Sequence, residues 1–273
     1  MTAPSTAVFD IMASTYDADF TISQTGRLQR KRVWKYLHPL LKEKKRPLKI
    51  LEINCGTGED ALKLAALGHS VIATDASPAM IGKARAKIEG SHAVAGNLEF
   101  IVCPFDELSG TFRGEKFDLV FSNFGGLNCI NKNELLKLAD ELRLLVEDEG
   151  NIFFVLIAPC CLREIFHYAT RGKFKTAFRR LSGKAQFSAS GKTMPVYYYR
   201  PGTIKKIFSG VFSHFQKHPV GLFIPPSYLE EKYRYKTQRL ENLYKREEGF
   251  CPPIFSSFAD HYCVIFKKTG ISI

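Results

Sequence analysis

Acid is scarce in this chain. Its 273 residues carry 39 Lys and Arg against 27 Asp and Glu, a formal net charge of +12. The shortage is local. Nine basic residues between Arg27 and Arg46 face a single acid, Glu43, and residues 171–184 are basic with no acid at all. Such stripes fit nucleic acid, an anionic membrane, an acidic carrier protein, an anionic substrate or simply solvent. Long apolar runs are also missing. The longest, residues 152–161, is interrupted by Pro159 and is too short to span a bilayer. Residues 1–10 have no apolar core of the kind a secretory signal needs. The 7 cysteines are odd in number and include no pair at metal-ligand spacing. That excludes a zinc module and a disulfide framework, and the expected setting is reduced and cytoplasmic. No serine triad or phosphate loop is visible.

What the chain does have is one informative stretch, residues 49–60. It starts as a short apolar run, turns on Gly56 and Gly58, and enters helical spacing at Ala61, Leu62, Leu64 and Ala65. A buried strand, a tight turn and a helix N-terminus follow from that pattern. Backbone N–H groups at such a turn are left to face a ligand, and glycine lets the ligand come close. Asp75 ends the next apolar run, where a carboxylate can accept hydrogen bonds from ribose hydroxyls.

Alternation continues downstream. Strands are expected over residues 48–54, 70–75, 98–103, 116–121 and 152–157, with helices over 59–67, 77–89 and 131–146 between them. Ser77 and Pro78 suit a helix N-terminus, and Gly90 should end that helix. Residues 28–44 read as an amphipathic helix with a kink or boundary at His38-Pro39. The fold class is α/β, a doubly wound, mostly parallel seven-stranded sheet with an insertion or lid after the fifth strand. Residues 1–46 form a helical segment over the site. Residues 47–158 with 258–273 form the core, and 159–257 the variable substrate-pocket insertion. That insertion holds more than half of the chain's 22 Phe, 11 Tyr and 1 Trp. Within it, helices are expected over 162–169, 201–209 and 228–248, a strand over 195–200 and the sixth sheet strand over 212–218. Residues 171–191 should be mobile, and the seventh strand covers 260–267.

The stretch Glu52-Ile53-Asn54-Cys55-Gly56-Thr57-Gly58 resembles the first motif of the class I S-adenosylmethionine-dependent methyltransferases, with Asn54 in place of the first glycine. Phe117-Asp118-Leu119-Val120 resembles their fourth motif, and Tyr16-Asp17 a pair found ahead of the core in small-molecule members. The resemblance spans residues 47–158 and implies the Rossmann-like methyltransferase fold. It implies S-adenosyl-L-methionine as cofactor, held by Glu52, Asn54, Cys55, Gly56, Thr57 and Gly58 of the turn, and by Asp75, Ala76, Ser77 and Met80 after the second strand. Pro104, Phe105 and Asp106 stand where the family meets adenine. Asn123, Phe124 and Gly125 lie beside the transferred methyl group, and Gly125 and Gly126 should admit a ligand close to the backbone. Tyr16 would close the site, and Arg27 could reach the cofactor carboxylate, as could Arg30 or Arg32.

The same turn also fits G-x-G-x-x-A, the fingerprint of an NAD(P)-dependent oxidoreductase. Against a diphosphate stand Glu59 and Asp60 in the first helical turn. Two unit charges ~5 Å apart repel by roughly 3 kcal/mol at an effective dielectric near 20. Glu52 inside the strand is also out of place for a dinucleotide site. The acceptor is narrowed by absences: no Asn/Asp-Pro-Pro-Tyr/Phe follows the fourth strand, and no paired glutamates form a protein-arginine clamp. A small apolar or aromatic metabolite, methylated at oxygen or carbon, fits the aromatic insertion. An acidic carrier protein could present it, and an RNA acceptor using the basic stripes is the rival. If a general base is needed, His167, His214, His218, Tyr197 and Tyr199 are available, with His167 and Tyr197 the choices.

Overall fold

In the computed structural model, residues 4–89, 97–229 and 236–269 are described. The N-terminal segment comprises α1 (Pro4–Met12), a π-helical turn (Asp17–Thr21) and α2 (Gln24–Glu43). Ser23 caps α2 by accepting from the Gly26 N–H at 3.0 Å, so the helix begins four residues before its apolar stripe. It runs unbroken through Pro39, where a boundary was one expectation. Buried Val33, Trp34, Leu37 and Leu41 seat it on the sheet.

Five parallel strands follow: β1 (Lys49–Ile53), β2 (Ser70–Asp75), β3 (Leu98–Val102), β4 (Phe117–Ser122) and β5 (Val146–Ile157). Between them lie α3 (Glu59–Ala66), α4 (Pro78–Glu89), the short α5 (Leu108–Thr111) and α6 (Lys132–Leu145). Asn131 and Glu134 form a capping box on α6. The expected stop at Gly90 lies outside the described residues. β5 starts six residues earlier than its apolar run, because a register shift that places the extra residues in β5, between Val146 and Asn151, lets Val146 pair with Phe117.

Beyond β5 come α7 (Leu162–Ala169), α8 (Phe174–Ala177), a hairpin of β6 (Lys184–Ala189) and β7 (Lys192–Tyr197), then α9 (Pro201–Phe208), β8 (Phe212–Val220), α10 (Thr237–Gly249) and β9 (His261–Lys268). The segment expected to be mobile is ordered. Arg179 and Arg180 both pair with buried Glu164 of α7, at 2.9 and 2.6 Å, and β6 is paired along its length with β7. Of the expected helix over 228–248, only the part from Thr237 can be placed, because residues 230–235 lie outside the described set.

The sheet order is β3-β2-β1-β4-β5-β9-β8, with β9 antiparallel to both neighbours. Apolar clusters fill both faces. Ile50, Val71, Leu119 and Phe153 pack toward α2 and α3, and Leu51, Val120, Ile152 and Phe154 toward α6 and α9. Alternate residues of one strand therefore serve opposite cores, which explains why these strands are apolar almost throughout. The carboxyl ends of β1, β2, β4 and β5 converge at one edge, where ligands bind in open α/β sheets. Because β9 runs backwards, its first residue arrives at that same edge, with Ile157 opposite His261.

Candidate active site

The turn after β1 uses positive φ at Asn54 (54°), Gly56 (55°) and Gly58 (77°). Asparagine tolerates this region better than most residues with a side chain, so Asn54 does replace a glycine. Its side chain also pins the turn. Nδ2 donates to the Asn123 carbonyl at 3.0 Å, and Oδ1 accepts from Ser122 Oγ at 2.6 Å. Asp75 holds the turn from the other side, accepting from the N–H groups of Gly56 and Ser77, each at 2.9 Å. Burial pushes its carboxyl up to about 6, against the pull of those two donors.

Above the turn is a cleft of about 640 Å³, the open space at its mouth included. Tyr16, Asn54, Gly56, Asp75, Ala76, Ser77, Met80, Pro104, Phe105, Asn123 and Phe124 all reach it, joined by Phe9 of α1. Cys55, Thr57 and Gly58 shape it from behind. Cys55 is buried in the core, and a Cβ on Gly58 would lie 2.5 Å from Phe100 Cζ. Thr57 donates to Asp17 Oδ1 at 2.6 Å, and Lys87 reaches Asp17 Oδ2 at 2.9 Å, so the leader is fastened to the turn. Ser77 spends its hydroxyl on Asp10 Oδ1 at 2.5 Å rather than on the cavity. Gly125 and Gly126 make room for protein, since a Cβ there would strike Ile157 (2.9 Å) or Asn54 (2.2 Å).

Several expected residues fall elsewhere. Arg27 is exposed on α2 and is not among the residues lining this cavity, whereas Arg30, one turn on, binds Asp60 at 3.1 Å and lies 5.2 Å from the centre of the Phe124 ring. Asp106 is exposed, leaving Pro104 and Phe105 at that wall. His167 lines a different cavity, with Arg163, Phe250 and Phe255. Tyr197 packs toward the core and stacks on Tyr199, while its neighbours Met194 and Val196 face inward at the site. The charge argument at the turn also changes: Asp60 is neutralised by Arg30 and further held by Trp34 Nε1 (2.7 Å) and Asn123 Nδ2 (2.8 Å).

Glu52 is 2% exposed, and its Oε2 has no hydrogen-bond partner among the described residues. Burial, with the nearby Asp60 charge, raises its carboxyl well above the usual range. The cavity's lining combines the Asp75 carboxylate with an apolar wall and offers no cation for a diphosphate; Glu52, in β1, is not itself part of that lining.

A second, larger cavity of about 1470 Å³, partly open to solvent, adjoins the first. Both are lined by Phe9, Tyr16, Phe124 and Cys129. The larger one is walled by Met12, Phe20, Ile157, Phe187, Met194 and Val196, and contains Asp260 and His261. Phe124 stands between them in the left-handed region (φ 50°), a strained setting for a bulky residue and one that marks functional positions. The Asp260–His261 pair is not legible in local sequence: it reaches the ligand edge only because β9 runs antiparallel to its neighbours.

Residues 50–150 match the family model described as a methyltransferase domain. A demethylmenaquinone methyltransferase from Clavibacter sepedonicus is 31% identical over 54% of this chain and 55% of its own length. A tRNA 5-carboxymethoxyuridine methyltransferase from Escherichia coli (strain K12) is 30% identical over 37% of this chain and 39% of its own. The chain thus spans about half or less of these curated relatives. The solved structure of magnesium protoporphyrin IX methyltransferase from Synechocystis PCC 6803, with bound SAH, is 16% identical and covers 98% of this chain and 100% of its own, with a TM-score of 0.61. The fold is shared across that whole length. Among the described residues no helix is long and apolar enough to cross a membrane, and no cluster of His, Cys, Asp and Glu could hold a metal ion.

Proposed function

We propose that this chain, whose residues 50–150 are a methyltransferase domain, uses S-adenosylmethionine to methylate a small apolar or aromatic metabolite at oxygen or carbon. The observation that carries the reading is the pair of adjoining cavities. One has the hydroxyl acceptor and the apolar wall, and the other is a largely apolar chamber sharing Phe124 and Tyr16 with it. When bound, the cofactor supplies an electrophilic methyl carbon on a positively charged sulfur. Asp75 accepts the ribose hydroxyls, and Pro104 and Phe105 face the base. Tyr16 and α1, pinned through Asp17 and Asp10, cover the mouth and exclude water.

An RNA acceptor takes support from the relative that acts on tRNA. The stripes that would bind RNA are partly spent inside the protein, however. Lys44 and Arg46 hold Asp118, Arg32 lies 3.9 Å from buried Glu247, and Arg180 is buried. Titration calorimetry with S-adenosylhomocysteine and with NAD tests the reading. Saturable binding of the first and none of the second is expected; binding of NAD alone would overturn it.

A further inference from the structure

We propose that His261, positioned by Asp260, is the general base of this site, and that the acceptor is therefore a neutral aromatic or enolic hydroxyl rather than a preformed anion. The inference rests on the methyl-transfer reading above. His261 opens β9 at the ligand edge of the sheet, is 8% exposed and lines the larger cavity. Its ring meets Phe124, which lines both cavities, edge-on at 5.5 Å.

The imidazole has two different sides. Nδ1 is buried, 3.2 Å from Asp260 Oδ2, close enough for an ion pair but too bent for a straight hydrogen bond. Nε2 has no protein partner among the described residues. Asp260 is itself fixed by Arg180 Nη2 at 2.8 Å and Gln29 Nε2 at 2.9 Å. Burial opposes its charge, but His261 and Arg180 outweigh that and hold the carboxyl well below the usual range. Asp260 thus stays an anion beside the ring and holds its orientation. Arg180 also lines this cavity, but both its terminal nitrogens are engaged, by Glu164, Asp260 and two backbone carbonyls, and only its buried Nε lacks a partner among the described residues. Glu164 pairs with Arg180, while Tyr228, Tyr16 and Asp19 line the cavity together with His261.

The apolar walls disfavour an acceptor that enters charged. A neutral hydroxyl enters, its O–H bond breaks, and the proton goes to Nε2. The new O–C bond forms as the S–C bond breaks, its electron pair passing to sulfur. The imidazolium then returns the proton to solvent.

The test uses the whole chain saturated with S-adenosylhomocysteine and, as probe, 4-nitrophenol, whose anion is yellow and whose neutral form is not. Somewhat below the probe's own ionisation, the wild type should bind it as the anion. His261→Gln should bind it colourless, and Asp260→Asn should move the pH midpoint of the colour upward. Turnover of a hydroxyl acceptor should fall by about 100-fold or more in His261→Gln, while affinity for S-adenosylhomocysteine stays unchanged. Equal colour in wild type and His261→Gln, or no probe binding to the loaded wild type, would overturn the proposal. Failure of S-adenosylhomocysteine to bind the wild type would instead remove the reading beneath it.

Discussion

Thr57 and Asp17 lie 40 positions apart and meet in a 2.6 Å hydrogen bond, the Thr57 hydroxyl donating to Oδ1. The glycine turn and the leader are thereby one unit. Thr57→Val should weaken cofactor binding and lower Tm together. A hydrogen bond to a charged group stabilises by about 1.5–3 kcal/mol; partial exposure of Asp17 places this one at the low end. The Asp17 carboxyl is lowered because Thr57 and Lys87 outweigh its desolvation. Its contribution is present above the ordinary carboxylate range and fades as pH falls through the lowered value. Calorimetry and thermal melts at pH 7 and in acid measure both.

Asp75→Ala should weaken cofactor binding by roughly 1–3 kcal/mol, since the ribose hydroxyls lose a charged acceptor. The wild type should bind less tightly as pH is lowered through about 6, where this carboxyl protonates. Folding stability runs the other way. A carboxyl raised above its unfolded value favours the native state at low pH, and that contribution is lost as pH rises through about 6. Opposite slopes for affinity and for Tm are the signature to seek.

Two glycines of one turn should respond differently. A Cβ on Gly56 meets only the Tyr16 ring at 3.8 Å, so Gly56→Arg should fill the cavity and abolish cofactor binding while the far-UV spectrum is kept. A Cβ on Gly58 would collide with Phe100 at 2.5 Å. Gly58→Ala should instead cost about 1–3 kcal/mol of stability through overpacking and strain.

Asp118 belongs to a family-like motif yet sits at the far end of β4, accepting from Lys44, Arg46 and the Lys49 N–H. Despite some desolvation, these donors bring its carboxyl down to about 2. Its stabilising effect is therefore present above the ordinary range and lost as pH falls through about 2. Asp118→Asn should lower Tm and leave cofactor affinity unchanged.

Salt separates the acceptor classes. An RNA substrate would bind far less tightly as salt rises from 50 to about 200 mM. Turnover of an apolar small molecule should barely change over that range.

The glycine turn, Asp75 and the βα alternation were legible in sequence because each rests on local chemistry: a turn that needs positive φ, a carboxylate ending a strand, apolar runs covered on both faces. The same holds for Ser77 and Pro78 opening α4. What sequence did not give was partnership at a distance. Arg180 looked like part of a solvated basic stripe, but Glu164 and Asp260 draw it inside. Arg27 and Arg30 were indistinguishable until helix phase turned one outward and one onto Asp60. His167 and His261 differ only in which end of which strand lies nearby, and that depends on topology.

The reversed strand has a consequence for assembly. β9 is paired on both edges, between β5 and β8. On the ribosome, β8 emerges first and has no ladder to join until β9 slots in beside it. The β1–β4 half can fold early, around its local βα contacts, while the edge that carries His261 waits for β9. On the proposed reading, a nascent chain holds its methyl donor well before it is competent to spend it.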